Sequence, residues 1–200
     1  VDLVKLLKKQ KELDDVIVND KSLFGDNHDW KTLALDVELS ECANEWRGFK
    51  KWSNDQEPRT QKLRRPVMND EDKEYYNPLL EEYVDCLHFF LSIAIEKRWQ
   101  ESLYIYEEAI MEIKDEGLDG DVTKAFLEVK YWLMKSFAEK GMDEKVEKTF
   151  GISKQEFCFK NAWFVFIAIG IVGFCFDLDQ IENAYYDKNK VNHERQEQGY

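Results

Sequence analysis

Two pairs of carboxylates in this chain have the spacing to do chemistry together. Glu38 and Glu41 lie three apart, with Asn44 and Glu45 following. Glu82 and Asp85 lie three apart, with Glu81 before them and His88 after. Residues at that spacing share one face of a helix. Leu35, Leu39, Cys42 and Ala43 flank the first pair; Leu79, Cys86, Leu87 and Phe89 flank the second. Acidic pairs beside a core stripe are not simple solvated decoration, because burying them unpaired is prohibitive. If the two faces meet, four carboxylates converge. A hard divalent cation taking oxygen ligands, Mg²⁺ or Mn²⁺, then resolves the repulsion. Either pair alone says little, since 41 of the 200 residues are Asp or Glu. A di-iron bundle would need Glu-x-x-His on two helices, and the nearest match is a single Asp-x-x-His at Asp85 and His88.

The elements that must position these groups read as helices. Gly plus Pro is only 9 + 3 = 12 of 200 residues, which favours long helices over many short strands. Leu3, Leu6, Leu7, Leu13 and Ile17 make an apolar stripe on a first helix. The sequence predicts a second helix from Trp30 to about Phe49, carrying Glu38 and Glu41. A third opens at Asn77-Pro78, a good cap followed by a residue suited to the first turn, and runs to about Trp99. Further helices are expected over Glu101–Glu116 and Asp121–Lys140. A very apolar one follows the capping box Ser153-x-x-Glu156, and a polar one runs from Asp177 to about Lys190. The expected fold is all-α: a single domain over 1–200, a bundle of six to seven helices. All three prolines and clustered charge fall in one long connection at about 53–77. No strand is predicted.

Composition narrows the partners. A net charge of −13 lacks the basic footprint of a nucleic-acid binder. It also means that an anionic ligand such as a phosphate needs local neutralisation, which a divalent cation supplies. Four cysteines without a Cys-x-x-Cys fit a reduced, cytoplasmic protein. Cys42 and Cys86 are expected to be small core residues behind the carboxylates. The apolar run Trp163 to Phe176 is 14 residues long and closed by Asp177 and Asp179, so a buried core helix is expected and no membrane span.

Three segments together resemble a known family. They are VELSECANEWRGFKKW at 37–52, LLEEYVDCLHFFLS at 79–92 and YYDKNKVNHERQEQGY at 185–200. In that order they resemble the dimeric all-α dUTPases of bacteriophages, some bacteria and trypanosomatids, within the MazG-like all-α nucleotide pyrophosphohydrolases. The resemblance implies conversion of dUTP, and of dUDP as a second substrate, to dUMP. It implies more than one Mg²⁺ per site, with Mn²⁺ as a substitute, and a homodimer in the cytoplasm of the cell or phage host. By the same resemblance Glu38, Glu41, Glu82 and Asp85 match the metal ligands, Glu38 also handling the attacking water. His88, Phe89 and Trp52 or its neighbour Trp46 match the deoxynucleoside pocket. Asn44 matches the metal shell or sugar, and Gln10 and Asp14 match the uracil-reading positions. The tail pattern is complete as Lys188, Asn189, Asn192, Arg195, Gln196, Gly199 and Tyr200. Lys188, Asn192 and Arg195 share a helical face, from which the basic pair would hold phosphates. Tyr200 would pack over the closed site. The 185–200 segment is expected to be mobile until substrate supplies partners. The same chemistry on another nucleotide, such as dCTP, and a role binding a repressor protein through 53–77 are the alternatives.

Overall fold

The computed structural model describes residues 2–66, 68–141 and 143–199. It is an all-α bundle: α1 (Leu3–Asp20), α2 (His28–Trp46), α3 (Pro78–Lys97), α4 (Glu107–Glu116), α5 (Val122–Ala138), α6 (Glu144–Phe150), α7 (Lys154–Ala168) and α8 (Leu178–Glu197). Side-chain caps start most of these where the sequence places them. Asn77 accepts the Leu80 N–H ahead of Pro78, Ser153 accepts the Glu156 N–H, and Asp177 accepts the Gln180 N–H. Arg47 and Arg98 end α2 and α3 in the left-handed conformation, at φ 67° and 61°.

Three details differ from the sequence expectation. The fourth helix is split: Gln100–Leu103 is a 3₁₀ turn and α4 starts only at Glu107. The short α6 was not predicted; Asp143 caps it and Gly151 closes it at φ 70°. The 53–77 connection contains a minimal antiparallel hairpin, β1 (Lys62–Leu63) against β2 (Tyr75–Tyr76). The connection is pinned at its base. The Arg59 N–H donates to the Glu45 carbonyl at 2.9 Å, and the Arg59 carbonyl accepts the Leu79 N–H at 3.1 Å. Arg59 thereby joins the end of α2 to the start of α3.

The core is aromatic. Tyr83 on α3 stacks on Phe166 of α7 at 4.3 Å and donates to the Phe166 carbonyl, while Phe90, Phe159 and Trp163 pack around them. Truncating a fully buried ring such as Phe90 to Ala would cost about 3–5 kcal/mol. After Ala168, α7 widens into a π-helical stretch, Ile169–Gly173. Gly170 there lies directly against the Tyr83 ring, where any side chain would collide. The combined segment Lys154–Gly173 is long and apolar enough to cross a membrane, but half of it is buried in the bundle, as expected of a core helix. Helices α2 and α3 pack against each other along their length, with Leu35, Leu39, Cys42, Val84, Cys86 and Leu87 between or behind them. This packing brings the two acidic faces together. Cys42, Cys86 and Cys158 are buried free thiols and Cys175 is exposed.

Candidate active site

Glu38 from α2 and Glu82 and Asp85 from α3 converge, each offering an oxygen within 4.8 Å of the others. Three half-buried carboxylates this close repel one another. Burial, then Asp85, then Glu41 push the Glu38 carboxyl up to about 7. Burial and the Asp85, Glu38 and Glu41 charges push Glu82 up to about 7 as well. Burial also raises Asp85, against the pull of Lys188. Glu41 is exposed on the rim one turn beyond Glu38 and stands outside this three-way cluster. Oxygen donors alone, crowded and half desolvated, suit a hard divalent cation.

A cavity of about 320 Å³ opens beside the cluster. Glu38 and Asp85 stand at one end, α1 residues Gln10, Asp14 and Ile17 line another wall, and α8 contributes Lys188, Asn192 and Arg195. His88 and Phe89 line it from α3. Its inner polar groups form one network. Gln10 Oε1 accepts from His88 Nδ1 at 2.7 Å and from the Tyr185 hydroxyl at 3.0 Å. Gln10 Nε2 donates to Asp14 Oδ1 at 2.8 Å. Burial, with Lys188 acting in the same direction, pushes His88 down to about 3, so the ring is neutral. With Nδ1–H donating to Gln10, Nε2 is left as a bare acceptor, and it has no partner. Asp14 Oδ2 and Gln196 Oε1 are likewise buried without a close partner. Orphaned buried polar atoms around one cavity are what a polar ligand would satisfy.

The sequence expectations divide accordingly. The structure brings Glu38, Glu82, Asp85, Asp14, His88, Phe89, Lys188, Asn192 and Arg195 to one place. Gln10 also lines the cavity, but its carbonyl and amide are engaged with His88, Tyr185 and Asp14, so it orients its neighbours. Asn189 is buried beside Tyr185. Asn44 is exposed near the end of α2, outside the cavity. Trp46 packs on Phe126 in the core, and Trp52 is 78% exposed against the edge of Phe49. Neither tryptophan lines the cavity. Tyr200 lies outside the described residues.

Sequence reasoning missed Trp30, Lys31, Ser92 and Glu81, and saw Gln196 only as part of the tail pattern. Trp30, Lys31, Ser92 and Gln196 line the cavity, and Glu81 Oε1 accepts from Lys188. Lys31 carried a legible signal: it occupies a core register of α2, with Leu35, Leu39 and Cys42 one, two and three turns on. The tail helix also exceeds its predicted extent, running past Lys190 to Glu197.

The family model described as dUTPase matches residues 2–200. The chain belongs to the all-α dUTPase family, and its activity is that of a dUTP diphosphatase. No curated protein matches the chain.

Proposed function

We propose that the protein hydrolyses dUTP to dUMP and pyrophosphate in a Mg²⁺-dependent reaction, with dUDP as a second substrate. The observation that carries this reading is that the Glu38–Glu82–Asp85 cluster adjoins, through Glu38 and Asp85, a cavity of about 320 Å³ lined also by orphaned polar atoms. Glu38, Glu82 and Asp85, with Glu41 from the rim, are the residues that would hold Mg²⁺ or Mn²⁺, with room for more than one ion. A bound divalent ion there would neutralise phosphate charge and lower the pKa of a coordinated water.

The chain's own groups do the rest. Glu38 would also take the proton of the attacking water; in the metal-free protein, burial and the neighbouring carboxylates push its carboxyl up to about 7. Lys188 and Arg195, on the cavity side of α8, would bind phosphate oxygens. The bare Nε2 of His88 offers an acceptor to a sugar hydroxyl. Phe89 forms an apolar wall against which a 2′-hydroxyl would be left unsatisfied. Asp14 Oδ2 offers an acceptor to the base. The proposal includes a homodimer: Tyr104, Tyr106, Met111 and Phe164 form an exposed apolar area away from the cavity, of the kind that a second copy covers.

The test is pyrophosphate release from each deoxynucleoside triphosphate, with and without Mg²⁺. Release from dUTP alone and only with the ion supports the reading. Equal or faster turnover of dCTP would assign the same chemistry to another base.

A further inference from the structure

A second charged pair reaches the cavity through one of its members, Lys31. Lys31 is 3% exposed, and its ammonium donates to Glu96 Oε2 at 2.9 Å. The other Glu96 oxygen accepts the Asn27 N–H at 3.1 Å, tying the pair to the start of α2. Burying a lysine is costly unless its charge is used. Lys31 lines the same cavity as Asp14. Of the two Asp14 oxygens, Oδ1 accepts the Gln10 amide, Ser92 also hydrogen-bonds the carboxyl, and Oδ2 is the oxygen left facing no close donor. A proton on Asp14 is best carried on Oδ2, turning an acceptor into a donor.

We propose that Lys31 is a positioning residue for base selection: fixed by Glu96, its ammonium holds the negative charge on Asp14, whose Oδ2 then accepts the N3–H of uracil and repels the bare N3 of cytosine. This rests on the reading that Asp14 meets the base. The groups acting on Asp14 are Lys31 from α2, Ser92 from α3, and Gln10 and Asp15 on its own helix; Tyr185 from α8 feels its charge. Glu96 and the neutral His88 stand next to them on α3. Among these Lys31 is the cation. Burial pushes the Asp14 carboxyl up, and Lys31 is the strongest force in the other direction. Losing Lys31 lets Asp14 take up its proton at higher pH. The protonated Oδ2 then donates to N3 of cytosine and no longer accepts from uracil.

The experiment compares kcat/KM for dUTP and dCTP, and the affinities of dUMP and dCMP, across pH. Lys31→Met is made together with Glu96→Gln so that no buried charge is orphaned. The dUTP-to-dCTP ratio is expected to fall about tenfold or more, most on the acid side of neutrality. Protonation of Glu38 or Glu82 cancels from this ratio because it affects both nucleotides. Lys31→Arg should keep the wild-type ratio, and the unmutated enzyme should itself lose selectivity on acidification. A folded double variant with the wild-type ratio at every pH overturns the proposal, as does a wild-type ratio that does not vary with pH. If Asp14→Asn leaves both the ratio and dUMP affinity unchanged, the proposal falls with the base-recognition reading beneath it.

Discussion

Lys188 Nζ donates to Asp85 Oδ2 at 2.6 Å and to Glu81 Oε1 at 3.2 Å, so a side chain expected on phosphate sits on the carboxylates. The ammonium partly neutralises the cluster and ties α8 to α3. A divalent ion on Asp85 and this ammonium compete for the same oxygen. Lys188→Met is expected to bind Mg²⁺ more tightly in a calorimetric titration without nucleotide. The same variant should lose about two orders of magnitude in kcat/KM, because the phosphates lose a charge-assisted bond. Weaker Mg²⁺ binding would show that Lys188 supports the ion site instead of competing for it.

The raised carboxyls make metal-free stability fall with alkali. Glu38 and Glu82 keep their protons up to about 7 in the folded state, against an ordinary carboxyl value of 4.5. Between these values the folded state binds more protons, so stability is greatest below the window and is lost as pH rises through 7. Glu82→Gln should flatten this dependence and raise metal-free stability by about 1 kcal/mol at alkaline pH, a figure discounted for solvent screening. Denaturant melts in chelator at several pH values check it. A stability curve that rises through this window would refute the assignment.

Glu41 and Glu82 should part company in stability but not in turnover. Both Glu41→Gln and Glu82→Gln are expected to lower kcat at least about a hundredfold, since each removes an oxygen from the ion's surroundings. Glu82→Gln should move the metal-free melting curve more than Glu41→Gln, because Glu41 is exposed and repels the cluster only from the rim. Near-normal rates in both variants would sink the carboxylate site.

Thiol labelling reports the packing behind the site. Cys42, Cys86 and Cys158 are buried and Cys175 is exposed. Burial pushes the Cys86 thiol well up, with Cys42 adding to it, so Cys86 is no ready nucleophile, and Cys42 is fully buried. Native protein should label rapidly at Cys175 alone and at all four after denaturation. Fast loss of activity through Cys42 or Cys86, prevented by substrate, would contradict this.

The all-α class, most helix starts and the meeting of α2 with α3 were legible because caps, breakers and apolar stripes are local signals. Glu38, Glu82 and Asp85 were legible because their spacing puts them beside a core face. What stayed hidden depended on distant partners. The tail offers little of its own to bury, so local sequence does not reveal which partners Lys188 and Asn189 meet. In the structure Asn189 is buried and Lys188 meets Glu81 and Asp85, over a hundred positions away in the chain. The resemblance put Trp52 or Trp46 at the pocket, but local sequence does not show that Trp46, at the end of α2, packs half-buried on Phe126 or that Trp52 lies exposed after the Arg47 turn. Glu96, too, had no local feature marking it as the anchor of Lys31.

The Arg59 clamp makes the hairpin a detachable ornament. Because Arg59 ties α2 to α3 before residues 60–76 begin, that loop hangs outside a joint that is already closed. Its length and contents can change without moving the helices beneath. Lineages carrying this enzyme are therefore free to trim or enlarge the loop at little cost. A laboratory could splice a reporter or affinity module there and keep the catalytic frame.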